Sequence, residues 1–164
     1  IKDYDELMQY RLKILREKNL TLLDIQRVIA TIKPLHGALE LIQWLKRVTR
    51  FIVVSDTFVE FADPLMEQLE RPTLFCHSLD VNREGTICGY QLRQKNAKRE
   101  TVLALQQMNF EVIAFGDSYN DINMLKQADQ GVLFRPPQNV VNDYPEFPVL
   151  HEYSELKSFL ESRF

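Results

Sequence analysis

The sequence predicts an α/β protein, a parallel sheet with helices on both faces. Two apolar runs, Phe51-Ile-Val-Val54 and Val112-Ile-Ala-Phe115, lack the alternation of a half-exposed strand and have the length of strands buried on both sides. Amphipathic helical segments lie before, between and after them, and strands that alternate with helices build parallel sheets. The 164 residues, 45% hydrophobic and 26% charged, hold enough apolar material for one packed core and are short for two.

Each element follows from its local pattern. Leu7, Met8, Leu12 and Leu15 recur at helical spacing and predict a first helix over residues 3–17. Leu22, Ile25, Val28, Ile29 and Ile32 predict a second, opening at Thr21 and closed by Pro34. A third carries Leu39, Leu41, Ile42, Trp44 and Leu45 over residues 37–47. Arg50-Phe-Ile-Val-Val-Ser55 is then a buried strand ending at Ser55. A helix over residues 59–70 contains Pro64, which marks an early turn or a break because proline has no N–H to donate. Residues 73–79 read as a strand, and residues 81–88 as a hairpin turning near Glu84-Gly85. Helix 98–108, strand 111–115, helix 122–128 and a short strand over 131–134 follow. A loop with Pro136, Pro137, Pro145 and Pro148 leads to a closing helix over residues 154–164.

Composition excludes several functions. With 20 Lys and Arg against 23 Asp and Glu, the net charge is −3, without the basic excess of a nucleic-acid or anionic-membrane binder. No apolar run approaches a membrane span. Cys76 and Cys88 have neither a C-x-x-C spacing nor histidines at ligand distance, so they read as reduced thiols on strands. His36, His77 and His151 are scattered, and none is assigned to catalysis. The composition is that expected of a cytoplasmic protein.

In parallel sheets, ligands sit beyond the carboxyl ends of the strands, and two strand ends here are polar. Gly116-Asp117-Ser-Tyr-Asn120-Asp121 follows an apolar strand and opens a helix. Paired carboxylates there need water, hydrogen-bond donors or a cation, and Mg²⁺ prefers such hard oxygens. The alternative is a polar loop in which Asp121 caps the next helix. Ser55-Asp56-Thr57 ends the other strand, where a hydroxyl beside a helix N-terminus makes either an anion site or a plain N-cap. Lys98 opens a helix, where the dipole disfavours a cation, although a solvated surface lysine also fits.

Taken in order, Ser55, Lys98, Asp117 and Asp121 resemble motifs II, III and IV of the haloacid dehalogenase superfamily. Asn96-Ala-Lys-Arg-Glu100 and Gly116-Asp-Ser-Tyr-Asn-Asp121 are similar to phosphoserine phosphatase sequences. Ser55-Asp-Thr-Phe58 is nearest the branch acting as phosphoserine phosphatase and phosphoserine:homoserine phosphotransferase. The resemblance implies a Rossmannoid core with a small helical cap, the cap segment in residues 1–34 and the core in residues 35–164. It implies Mg²⁺ as cofactor, O-phospho-L-serine as substrate and homoserine as a second acceptor in amino-acid biosynthesis, by a monomer or homodimer.

By the same resemblance Asp117 ligates the metal, and Asp121 orients Lys98 and the metal's water shell. Ser55 and Asp56 hold the phosphate, Lys98 neutralises it, Asn120 hydrogen-bonds near the substrate, and Arg11 grips the substrate carboxylate. Tyr4 reads as packing rather than pocket lining. Two departures stand out. The family's Asp-x-Asp or Asp-x-Glu strand, which carries the phosphorylated nucleophile, is not found; Asp3-Tyr-Asp5 sits on a helical pattern. The expectation is therefore a core lacking its first strand, inactive as residues 1–164 alone. Asp56-Thr57 also stands where simpler phosphoserine phosphatases have Gly-Gly, which favours the transferase branch. Another small phosphomonoester as substrate is the alternative.

Overall fold

The computed structural model describes residues 4–163, and of Tyr4 and Asp5 the backbone alone; Asp3 and the Tyr4 side chain lie outside the described residues. The chain forms two compact units, one of the residues up to Leu39 with Phe51–Arg93, the other of Glu40–Arg50 and the residues from Gln94 on.

The first unit contains α1 (Tyr4–Glu17) and α2 (Leu22–Ile29). After α3 (Ala38–Val48), most of which belongs to the second unit, it continues with β1 (Ile52–Phe58), α4 (Val59–Gln68), β2 (Thr73–Val81) and β3 (Ile87–Gln91). The helical stripe of α1 does what its spacing predicts: Met8 and Leu12 are buried against Phe58, Leu79 and Ile87. Helix α2 opens where expected, because Thr21 and Asp24 exchange hydrogen bonds as a capping box.

Pro64 does not break α4, which runs through it. Proline cannot donate to the carbonyl four residues earlier, and that carbonyl, Glu60 O, accepts instead from Gln26 Nε2 of α2 at 2.8 Å. A side chain from another helix thus satisfies the orphaned backbone group.

The second unit holds α5 (Ala97–Gln107), β4 (Ile113–Gly116), a 3₁₀ turn (Tyr119–Asp121), α6 (Ile122–Gln127), β5 (Gln130–Phe134), α7 (Gln138–Asp143), β6 (Val149–Leu150) and α8 (Tyr153–Glu161). Val102, Ala114, Ile122, Leu125, Leu133 and Val140 form its core.

The expected single parallel sheet is corrected to two three-stranded sheets, β1-β2-β3 and β4-β5-β6. The second is parallel throughout. The first is mixed, because β2 and β3 pair antiparallel. Their hairpin turns where Gly85 takes a φ of 82°, a conformation glycine adopts without strain. Asn82 closes it, its N–H donating to Thr86 O and its Oδ1 accepting from Thr86 N–H.

Two elements in the expected loop, α7 and β6, were not readable as periodic patterns. Helix α7 spans six residues, with only Val140 fully buried. Strand β6 has two residues, paired with Leu133 and Phe134 of β5.

Gly131 on β5 has no room for a side chain: a Cβ would lie 2.5 Å from Leu125 O and 2.9 Å from the Phe147 ring. Gly131→Ala is expected to cost about 1–3 kcal/mol in urea unfolding, through overpacking against backbone. Gly89→Ala, whose Cβ would meet the movable tip of Asp80 at 3.1 Å, is expected to cost less than about 1 kcal/mol.

Candidate active site

In the second unit, strand β4 ends at Gly116 and the chain turns sharply into the 3₁₀ turn. A Cβ at Gly116 would lie 2.5–2.6 Å from the Asp121 carboxyl group, so the turn can close only over glycine. Asp121 folds back into that space and is buried, 6% exposed. Its Oδ2 accepts from Asp117 N–H at 3.1 Å, Ser118 N–H at 3.1 Å and Ser118 Oγ at 3.0 Å. Its Oδ1 accepts from Lys98 Nζ at 2.8 Å.

Lys98 lies in the first turn of α5, after Asn96 in the left-handed conformation. A lysine at that helix end is disfavoured by the dipole, and Asp121 supplies the opposing charge. Both side chains are largely buried, 15% and 8% exposed. Burial, the largest influence on Asp121, raises its pKa, but Lys98 and the Ser118 hydrogen bonds together hold it below the ordinary carboxylate value. The Asp121 side chain makes no capping bond to α6; it closes a capping box with Ser118 at the 3₁₀ turn and anchors Lys98.

Asp117 and Asn120 are exposed at the same turn. Among the described residues the Asp117 carboxylate has no hydrogen bond or ion pair, whereas Asp121 is saturated by four donors. The two acids, alike in sequence, have separate roles: one builds the loop, the other is presented by it.

In the first unit, Val54 pairs with Phe75 and Phe58 with His77. Between these pairs β1 contains Ser55, Asp56 and Thr57, while β2 contains only Cys76. The extra residues form a bulge, a device that bends a strand and re-aims its side chains. Thr57 N–H donates to Ser55 Oγ at 3.2 Å, leaving the Ser55 hydroxyl proton to donate elsewhere. The strand continues to Phe58 before α4 opens. Ser55 therefore does not stand at a helix N-terminus, and neither the N-cap reading nor the dipole argument for it holds. Continued pairing with β2 beyond the bulge is the reason.

Asp56 is half-buried. His77 is buried, and its Nδ1 accepts from Arg93 N–H at 3.1 Å. Burial holds the imidazole pKa below its ordinary value, against the opposing influence of Asp56. Arg11 is exposed on α1. A cleft of about 640 Å³ between α1 and the β2–β3 hairpin is lined by Tyr10, Lys13, Arg16, Asp80 and Tyr90 among others, and Arg11, Ser55 and Asp56 are not among its lining residues. Cys76 and Cys88 are free thiols, Cys76 half-buried on β2 and Cys88 exposed on β3. Among the described residues no helix is long and apolar enough to cross a membrane.

The structure thus assembles Lys98, Asp117, Asn120 and Asp121 around one turn, and places Ser55 and Asp56 on one bulge. Ser118 is the residue the sequence reading missed. Its Ser-x-x-Asp spacing to Asp121 is a capping-box signal that could have found it.

Removing Lys98 would leave a buried carboxylate without its cation. Lys98→Ala is expected to lower stability by about 3 kcal/mol at neutral pH, measured by urea unfolding. Because the folded pKa of Asp121 is depressed, its stabilising contribution is complete above the unfolded value of about 4 and is lost as pH falls through the lower folded value. The urea midpoint of the unaltered protein should consequently fall more steeply between about pH 5 and pH 2 than that of Asp121→Asn.

The haloacid dehalogenase-like hydrolase family model matches residues 2–129. The chain is 52% identical over 157 residues to phosphoserine phosphatase ThrH of Pseudomonas aeruginosa, covering 96% of this chain and 77% of that protein. It is 51% identical to a phosphoserine phosphatase of Pseudomonas syringae pv. tomato, covering 96% of this chain and 66% of that one. Among solved structures, a phospho-aspartyl intermediate analogue of phosphoserine phosphatase superposes with a TM-score of 0.70 at 24% identity, over 85% of this chain and 70% of that one, a likeness of fold.

Proposed function

The chain belongs to the haloacid dehalogenase-like hydrolases, in the phosphoserine phosphatase ThrH branch, and from that premise we propose that it carries the phosphate-handling residues of an enzyme releasing phosphate from O-phospho-L-serine. The observation that carries this reading is the division of labour between the two aspartates: a saturated Asp121 holding Lys98 at 2.8 Å, and an exposed Asp117 with no partner among the described residues.

That division suits a divalent cation. Mg²⁺ is commonly held by one or two carboxylates together with water and substrate phosphate, and Asp117 is a hard oxygen ligand at a strand end. Mg²⁺ bound there would offset negative charge on the transferring phosphoryl group. Lys98 is held in position by Asp121 and neutralises the phosphate. The Ser55 hydroxyl and the bulged backbone around it bind phosphate oxygens, with Asp56 beside them. Asn120 hydrogen-bonds the substrate. Arg11 takes the substrate carboxylate in its planar fork, a geometry suited to two parallel hydrogen bonds.

The reaction is two-step transfer. A carboxylate nucleophile, not found among residues 1–164, attacks phosphorus and the serine alkoxide leaves, taking a proton from a general acid. Water, or homoserine in the transferase reaction, then accepts the phosphoryl group from the aspartyl phosphate. The Asp56-Thr57 pair, standing where simpler phosphoserine phosphatases have Gly-Gly, favours the transferase branch. Residues 1–34 act as part of the cap and residues 35–164 as the core.

Residues 1–164 alone are expected to release phosphate from O-phospho-L-serine no faster than buffer with Mg²⁺ present. Joined to a strand carrying Asp-x-Asp, the same residues should turn it over. In that active protein Arg11→Ala should raise KM for phosphoserine about 10-fold or more with kcat changed less, as expected on losing a charge-assisted pair. An unchanged KM would move the assignment to another small phosphomonoester.

A further inference from the structure

The turn carrying Asp117 and Asn120 is held from inside by Asp121, and a second attachment holds it from outside. Tyr119 opens the 3₁₀ turn, between the two exposed residues of the site. Its hydroxyl donates to Asp143 Oδ2 at 2.5 Å and accepts from Asn139 Nδ2 at 3.2 Å. Its ring packs edge-on against Tyr144, with centroids 6.2 Å apart. All three partners belong to α7 or the residue that ends it.

The chemistry of α7 makes this attachment specific. Asp143 is the last residue of the helix, where the dipole disfavours an acid, so the position is poor for helix stability and suited to an outside donor. Tyr144 is fixed in turn by Lys126 above its ring at 4.8 Å and by packing on the second unit's core. Tyr119 itself remains 46% exposed. Burial therefore does not dictate its place; the hydroxyl contacts and the ring edge do.

We infer that Tyr119 is a positioning residue, its hydroxyl tying the Asp117–Asn120 turn to α7 so that Asp117 is held ready for a divalent cation. This rests on the proposed Mg²⁺ role of Asp117 and adds to it the device that fixes the ligand in advance. Mg²⁺ then binds without first ordering the turn, a saving that appears as affinity.

The experiment is Mg²⁺ titration calorimetry on the active protein described above, with the Mg²⁺ dependence of turnover measured in parallel. Tyr119→Phe removes the hydroxyl and keeps the ring. It should weaken Mg²⁺ binding about 5- to 10-fold, while kcat at saturating Mg²⁺ changes less than about 2-fold. Asp143→Asn keeps an acceptor and should retain most of the affinity. Asp143→Ala should match Tyr119→Phe, and the double variant Tyr119→Phe/Asp143→Ala should be no worse than either single one. Unchanged Mg²⁺ affinity in Tyr119→Phe, or loss in the thermal midpoint alone, overturns the inference while leaving the metal role of Asp117 standing. If the unaltered protein binds no Mg²⁺ calorimetrically, both fall together.

Discussion

The buried carboxylate of Asp121 organises the second unit's site. A charge at 6% exposure is tolerable only when surrounded by donors, and this one has four, three from its own turn and one from Lys98. Each constrains something else. The backbone donors fix the path from Asp117 to Ser118, Gly116 must lack a side chain for the carboxylate to fit, and Lys98 must open α5 despite the dipole. Breaking such a pair by removing one partner is far more damaging than replacing both.

The same economy appears in the first unit, where local defects are resolved by neighbours. Pro64 orphans a carbonyl that Gln26 satisfies. The bulge at Ser55 disrupts the β1–β2 ladder, yet the strand recovers its pairing at Phe58, and Thr57 N–H finds Ser55 Oγ. In both places a broken regular pattern carries a specific contact, and the second is where the phosphate-binding role is proposed.

Much of this was legible in the sequence because it rests on local pattern. The α1 stripe of Met8 and Leu12, the capping box at Thr21 and the turn at Gly85 are encoded within a few residues. So is the Gly116–Asp121 turn, whose order with Lys98 pointed to the family that the comparisons show. What was hidden depends on distant partners. Pairing of β1 beyond Ser55 is set by β2, so the strand runs longer than its apolar run. Continuation of α4 through Pro64 depends on Gln26, 38 residues earlier by sequence number. The short α7 and β6 carry too few apolar residues to show a period, and their existence is decided by the burial of Val140 and pairing with β5. The division of one sheet into two likewise depends on which strands find one another.

In the proposed function Lys98 acts on phosphate, and its pairing with Asp121 at 2.8 Å places it. Single-turnover phosphoryl transfer from O-phospho-L-serine, measured together with urea stability in Lys98→Met and Lys98→Met/Asp121→Asn of the active protein, separates placement from chemistry. Replacing both charges by neutral groups should recover most of the stability lost in Lys98→Met, while the transfer rate stays at least about 100-fold below the unaltered protein. A rate that recovers with stability would leave Lys98 a purely structural ion-pair partner with no part in phosphoryl transfer.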